Sequence, residues 1–221
     1  MRLAGYLAAS LTQYKSFPIV PTSFTKVEPM ELINKVFNHP GLRKALVKSR
    51  IFLGIVFLIL ILMYGRQELY FFAFAVSFLG ELIQVWSSGS LEKNKVLTAR
   101  GPYSLIRNPM YLGRFLVLLG GIFLLGNIYF VLVYVVIYYF YMVNRVKREE
   151  KHLGKVFGEP YRIYCSEVNR FIPNFRVYGK GELVFFRFNI LFHNNEHLNF
   201  LAVIGFYIIF YVCNPMINSF L

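Results

Sequence analysis

No aspartate occurs anywhere in the chain; all eleven acidic residues are glutamates, set against 24 lysines and arginines. That absence excludes chemistry built on aspartyl dyads and aspartate-rich metal loops. Cysteine is nearly absent as well. Cys165 and Cys213 lie far apart and read as ordinary buried or interfacial thiols, not as a redox pair. No internal repeat or low-complexity linker interrupts the chain, and no small-x-small cleavage site follows the mildly apolar "MRLAGYLAASL", so no signal peptide is expected. Apolar sequence, by contrast, is in excess: 57% of the 221 residues are hydrophobic, 19% are aromatic and the mean hydropathy is +0.50. A soluble domain of this size has no need of so much apolar surface, so the composition is that of an integral membrane protein.

The apolar residues gather into segments at 51–64, 69–86, 111–125 and 128–143. Most are nearer 15 residues than the roughly 20 that span a hydrocarbon core, so snorkelling Arg and Lys or a locally thin bilayer must close the gap. If all four span, residues 1–50, 87–110 and 144–182 share one side and carry 8, 4 and 9 of the 24 basic residues. That bias places them in the cytoplasm. The turns on the other side, "GRQE" and "GN", are too small to hold chemistry. Residues 1–50 are broken by Pro18, Pro21, Pro29 and Pro40. Within them Leu32, Ile33, Val36 and Phe37 recur at helical spacing, which predicts a short amphipathic helix on the membrane surface or in a soluble cap. "LVFFRFNILF" (183–192) is too short to span and predicts an interfacial helix; 198–213 is a candidate fifth span. The expected division is an N-terminal extension (1–50), a membrane core (51–175) and a C-terminal extension (176–221).

Between the second and third segments stands "RGPYSLIRNPMYLG" (100–113), with two prolines, two glycines and two arginines where a connector needs only a short polar turn. Gly101-Pro102 ends any preceding helix. Pro109 is suited to the first position of the next one, with Asn108 as its N-cap. The stretch thus reads as a stiff loop feeding a helix N-terminus, where backbone N–H groups are free to bind. Taken alone, it reads first as a structured turn between two spans. A second polar cluster lies in "NRVKREEKHLGKVFGEPYRIYCSEVNRFIP" (144–173), where Arg145 and Glu149 are four apart and share a helix face. A tight hairpin of the third and fourth segments returns the chain to its starting point and brings this cluster beside the 107–111 loop.

Read together, "GPYSLIRNPMYLG", "RVKREE", "FGEPYRIYC" and "VNRFIP" resemble the ordered motifs of the isoprenylcysteine carboxyl methyltransferase and phospholipid methyltransferase group of membrane enzymes. The text from "GELIQVW" to Gly101 is similar to the approach sequence of bacterial members. The resemblance covers residues 79–173. It implies an all-α polytopic integral membrane protein, with short transmembrane hairpins and a cofactor site facing the cytoplasm of a bacterial inner membrane. It implies S-adenosylmethionine as cofactor and a lipid, lipidated or small lipophilic acceptor bearing a carboxylate, amine or thiol. Neither a metal nor nucleic acid is implied, the basic charge being explained by topology. Carried over by position, Lys95, Val96, Leu97, Thr98, Tyr103, Asn108, Pro109, Met110 and Tyr111 would wrap the cofactor. Glu149 would bind one of its polar groups, or Glu150 if the register slips by one. Arg145 would orient the acceptor as the catalytic residue, and the rings of Tyr103 and Tyr111 could face the sulfonium. One departure stands out: Asn108 replaces the histidine of the family's RHP pattern, and an amide keeps a donor and an acceptor but cannot titrate.

Two other classes share parts of this pattern. A membrane reductase of the steroid-reductase type would use NADPH, yet its expected C-terminal signature differs from the "REE" and "RFIP" text here. A non-enzymatic membrane scaffold is the other, and Asn108 is the feature that keeps it open. "HNNEH" (193–197) matches a zinc-protease string formally but no acidic ligand follows it, and His39 and His152 read as surface residues.

Overall fold

The computed structural model describes residues 29–92, 96–174 and 183–219. The chain divides at residues 32/33, and the packing of the helices concerns the larger unit, from Ile33 onward. Every regular element among the described residues is helical: α1 (Pro29–Asn38), α2 (Pro40–Tyr64), α3 (Tyr70–Ser90), α4 (Pro109–Phe123), α5 (Ile128–Phe157), α6 (Glu159–Glu167), α7 (Phe188–His193) and α8 (Glu196–Asn218). Helices α2, α3, α5 and α8 are long and apolar enough to cross a membrane, whereas α4, at 15 residues, is short. The protein is therefore an all-α, polytopic membrane protein. Its outward faces agree: Ile51, Phe52, Phe71 and Tyr129 are 67–77% exposed apart from any bilayer, a surface that water would not tolerate but lipid matches.

Helix ends lie beyond the apolar runs. α2 starts at Pro40, so the boundary drawn at 50/51 falls inside a continuous helix of 25 residues. His39 caps it, its Nδ1 accepting from Leu42 N at 3.3 Å, and Pro40 occupies the first turn. Arg43, Lys44, Lys48 and Arg50 form helix readily, so charge ends the hydropathy signal without ending the helix. α5 likewise continues to Phe157 through the whole "RVKREEK" cluster. The amphipathic helix expected in the N-terminal region is α1. The side chains of Leu32 and Ile33 lie outside the described residues, but Phe37 stacks on Phe140 at 6.3 Å between ring centroids. Asn144 ties α1 to α5, accepting from Asn38 Nδ2 at 2.7 Å and donating to Asn34 Oδ1 at 2.9 Å.

α3 and α4 form the closest helix pair, and small residues let them approach. A Cβ on Gly80 would sit 2.6 Å from the Gly113 carbonyl, and one on Gly113 would sit 2.6 Å from Gln84 Cγ. Such contacts replace the hydrophobic drive that is absent between helices in lipid. α8 closes the other side. Tyr207 hydroxyl donates to the Ala73 carbonyl at 2.9 Å, and Asn214 Nδ2 donates to the carbonyls of Leu62 and Gly65 at 3.0 Å each, satisfying the C-terminal end of α2. Ile61, Ala73, Leu124, Tyr207 and Phe210 make the fully buried apolar centre. The segment 183–192, expected to be one interfacial helix, is helical only over α7. Its first half runs along the end of α3 instead, with Ser90 Oγ donating to Phe185 O at 2.7 Å and Arg187 N to Gly89 O at 3.0 Å.

Candidate active site

The "GPYS" stretch is a buried 3-10 turn. Gly101 takes φ +59°, and a Cβ there would lie 2.5 Å from Ser90 Oγ, so no other residue fits without displacement. Ser104 Oγ donates to Gly101 O at 2.7 Å and locks the turn. The chain then rises to Asn108, with Pro109 as the first residue of α4, as the sequence predicts. The Asn108 side chain caps nothing, however. Its Nδ2 donates to the Arg170 carbonyl at 3.2 Å.

The far wall comes from α5 and α6. Gly158, at φ +59°, reverses the chain between them and places Tyr161 and Tyr164 against the stretch after α3. Tyr164 hydroxyl donates to Tyr103 O at 2.7 Å, and Leu97 and Ala99 pack on the cluster of Tyr161, Tyr164 and Val168. Across the mouth, Tyr111 hydroxyl donates to Glu149 Oε2 at 2.7 Å while Arg145 Nε donates to that same hydroxyl at 3.2 Å. Tyr138 hydroxyl, in turn, donates to Tyr111 O at 2.6 Å. The two polar clusters legible in the sequence thus meet on one tyrosine.

Residues 169–174 form a strap over the loop. Arg107 N donates to Asn169 O at 2.9 Å and Asn174 N to Leu105 O at 2.8 Å. Arg170 grips Glu150 through Nε at 3.1 Å and Nη2 at 2.5 Å, and Arg107 Nη1 lies 3.3 Å from the same carboxylate.

These parts enclose a cavity of about 360 Å³. Its lining includes Val96, Leu97, Thr98, Tyr103, Asn108, Pro109, Met110, Tyr111, Arg145 and Glu149, all expected from the sequence. Lys95 lies outside the described residues. Glu150 is not in the lining; it is turned to Arg107 and Arg170. Arg107, Arg114, Tyr161 and Tyr164 line the cavity beyond the expected set, although Arg107 stands inside the quoted stretch and the two tyrosines inside "FGEPYRIYC". Glu92, also in the wall, lies 3.4 Å from Arg100 and 3.5 Å from Arg187. Burial, together with the neighbouring Tyr164, Glu149 and Glu196, pushes the Tyr103 phenol well above its ordinary pKa and keeps it neutral. A second, apolar cleft of about 220 Å³ between α4 and α5 is lined by Leu112, Phe115, Val135, Tyr138 and Phe171, and it shares Asn108 with the first. The "HNNEH" string is split between α7 and α8, and among the described residues no group of three His, Cys or Glu side chains could hold a metal ion.

Fold and cavity together define a polytopic helical membrane protein with a polar chamber at one end of its helices. Residues 49–160 match the family model "Phospholipid methyltransferase", and the chain belongs to that family. It is also 33% identical over 81 residues to a protein-S-isoprenylcysteine O-methyltransferase of Schizosaccharomyces pombe, a match covering 37% of this chain. The match spans about a third of that relative's length (34%). No solved structure matches.

Proposed function

We propose that the chain is an S-adenosylmethionine-dependent methyltransferase acting on a lipid or lipophilic acceptor at the cytoplasmic face of its membrane, in line with bacterial members of the family. The observation that carries this reading is the junction of Tyr111, Arg145 and Glu149, which joins the proline-rich loop and the "REE" helix in one cavity. The donor set suits the cofactor. A carboxylate at Glu149 is available to a hydroxyl or ammonium group, and the guanidinium-bearing Arg107 and Arg145 stand in the same wall for an anionic one. When bound, that cofactor supplies a methyl group already activated on a sulfonium, so the protein's work is binding, alignment and exclusion of water.

Val96, Leu97, Thr98, Tyr103 and the 108–111 turn would hold the cofactor. Arg145, fixed through Tyr111, would orient the acceptor. The apolar cleft between α4 and α5 offers a place for the acceptor's hydrocarbon beside Asn108, within the depth that lipid reaches. The bias of 21 basic residues to one side supports a cytoplasmic cavity. The titratable histidine of the family pattern is not required if position 108 only anchors the strap, as the bond to Arg170 O suggests.

The test uses the full chain in native-lipid nanodiscs with methyl-labelled S-adenosylmethionine. Label is expected in the lipid fraction and is expected to vanish with Arg145→Ala and with Glu149→Ala. Cofactor binding without lipid labelling would move the acceptor elsewhere. Absence of cofactor binding would overturn the reading.

A further inference from the structure

We infer that Arg107 binds the anionic group of the cavity's ligand, the carboxylate of the cofactor's amino-acid arm, and that Glu150 and Arg170 are positioning residues that hold it there. The inference rests on the cofactor reading above and assigns residues to one part of it.

Arg107 lines the cavity with its side chain only 13% exposed. Its backbone is fixed by the strap through Asn169 O, and one edge of its guanidinium is fixed by Glu150. Its Nε is buried and has no acceptor. A guanidinium N–H removed from water and left unpaired is costly, so buried donors of this kind generally have a partner. That Nε is closed off from the cavity as well as from water, so what Arg107 offers a ligand is the 13% of its side chain that stays exposed in the cavity wall. Charge points the same way. One carboxylate, Glu150, lies between two guanidinium groups, Arg107 and Arg170, which leaves the triad with a net positive charge beside the chamber.

The other arginines in the wall are less suited. Arg145 already commits its Nε to Tyr111 and is exposed. Arg114 sits further along α4, three residues past Tyr111. Arg107 is held at its backbone by the strap and at its side chain by Glu150, so little rotamer freedom is lost on binding, and its planar fork matches a carboxylate. Partial burial strengthens such a charge-assisted bond relative to an exposed one. The strap thereby acquires a purpose: residues 169–174 and Glu150 set the guanidinium that meets the ligand, while Glu149, one position earlier, meets it directly.

The experiment compares equilibrium binding of S-adenosylmethionine and its decarboxylated analogue to the purified full chain, with no turnover required. The parent protein is expected to prefer the intact cofactor by about tenfold to a hundredfold, the contribution of one charged hydrogen bond. Arg107→Gln should erase that preference while still binding the analogue as the parent does, and Arg107→Lys should restore part of it. Glu150→Gln, which keeps Arg107 but frees its edge, should lower the preference part of the way. Equal loss of affinity for both ligands in Arg107→Gln would mean a merely structural role and overturn the inference. No preference in the parent would overturn it as well, and an undiminished preference in Glu150→Gln would overturn the positioning role. A parent that binds neither ligand would sink the cofactor reading itself, a result distinct from binding both equally.

Discussion

Tyr111 receives the Arg145 N–H, donates to Glu149 and has its own carbonyl capped by Tyr138, so one residue couples α4 to one face of α5. Removing the hydroxyl with Tyr111→Phe frees Glu149 and Arg145 together. The expected outcome is a loss of cofactor affinity of about tenfold, equivalent to one hydrogen bond to a charged group, measured by equilibrium binding. Asn108 gives a sharper contrast. Its amide donates to the Arg170 carbonyl, so Asn108→His, whose ring can also donate, should keep cofactor affinity, whereas Asn108→Asp turns an acceptor against an acceptor and should lose it. Tyr103 carries a pH consequence. Its phenol is held protonated in the folded chain above the ordinary tyrosine range, so its contribution to stability is complete below about pH 10. As pH rises above that value the unfolded chain ionises first and stability falls. Melting temperature recorded from pH 8 to 11 should therefore drop at the alkaline end, and less so in Tyr103→Phe.

At the scale of elements, the α3–α4 pair is where the chain tolerates least. Gly80 and Gly113 face each other's backbone, and any larger side chain forces the helices apart. Gly113→Leu should destabilise the protein by about 1–3 kcal/mol or more, as overpacking does in a close-packed interior. A fall in melting temperature followed by size exclusion would register it, and an unchanged melt would refute the tight packing. The same shift would carry Pro109, Met110 and Tyr111 with α4, so cofactor affinity should fall with stability. Gly158 works differently: a Cβ there meets open space, but its positive φ turns α5 into α6 and sets Tyr161 and Tyr164 as a wall.

For the whole molecule, the polar chamber lies at one end of the helices and the minimal turns at the other. If the cavity faces the cytoplasm as proposed, then in a background without Cys165 and Cys213 an impermeant maleimide applied to intact cells should label Glu68→Cys in the short turn before α3. It should spare His152→Cys until the membrane is opened. The reverse pattern would invert the topology and move the cavity to the opposite face.

Helical character, the membrane environment and the order of the two polar clusters were legible without coordinates. They depend on local composition and on chain direction: long apolar runs leave few alternatives to helix, and Gly101, Pro102 and Pro109 dictate their own backbone. Helix ends were less legible at Pro40 and Phe157, because charge stops a hydropathy signal without stopping hydrogen bonding. Two adjacent glutamates, identical in type, received opposite surroundings: the four-residue spacing from Arg145 pointed to Glu149, but nothing local revealed the partners of Glu150. Only the tertiary structure set Glu149 in the cavity and gave Glu150 to Arg107 and Arg170, because residues 20 and 43 positions away supply that environment. The amide at 108 belongs with them. Its partner lies 62 positions down the chain, and contact at that separation is decided by packing rather than by local preference.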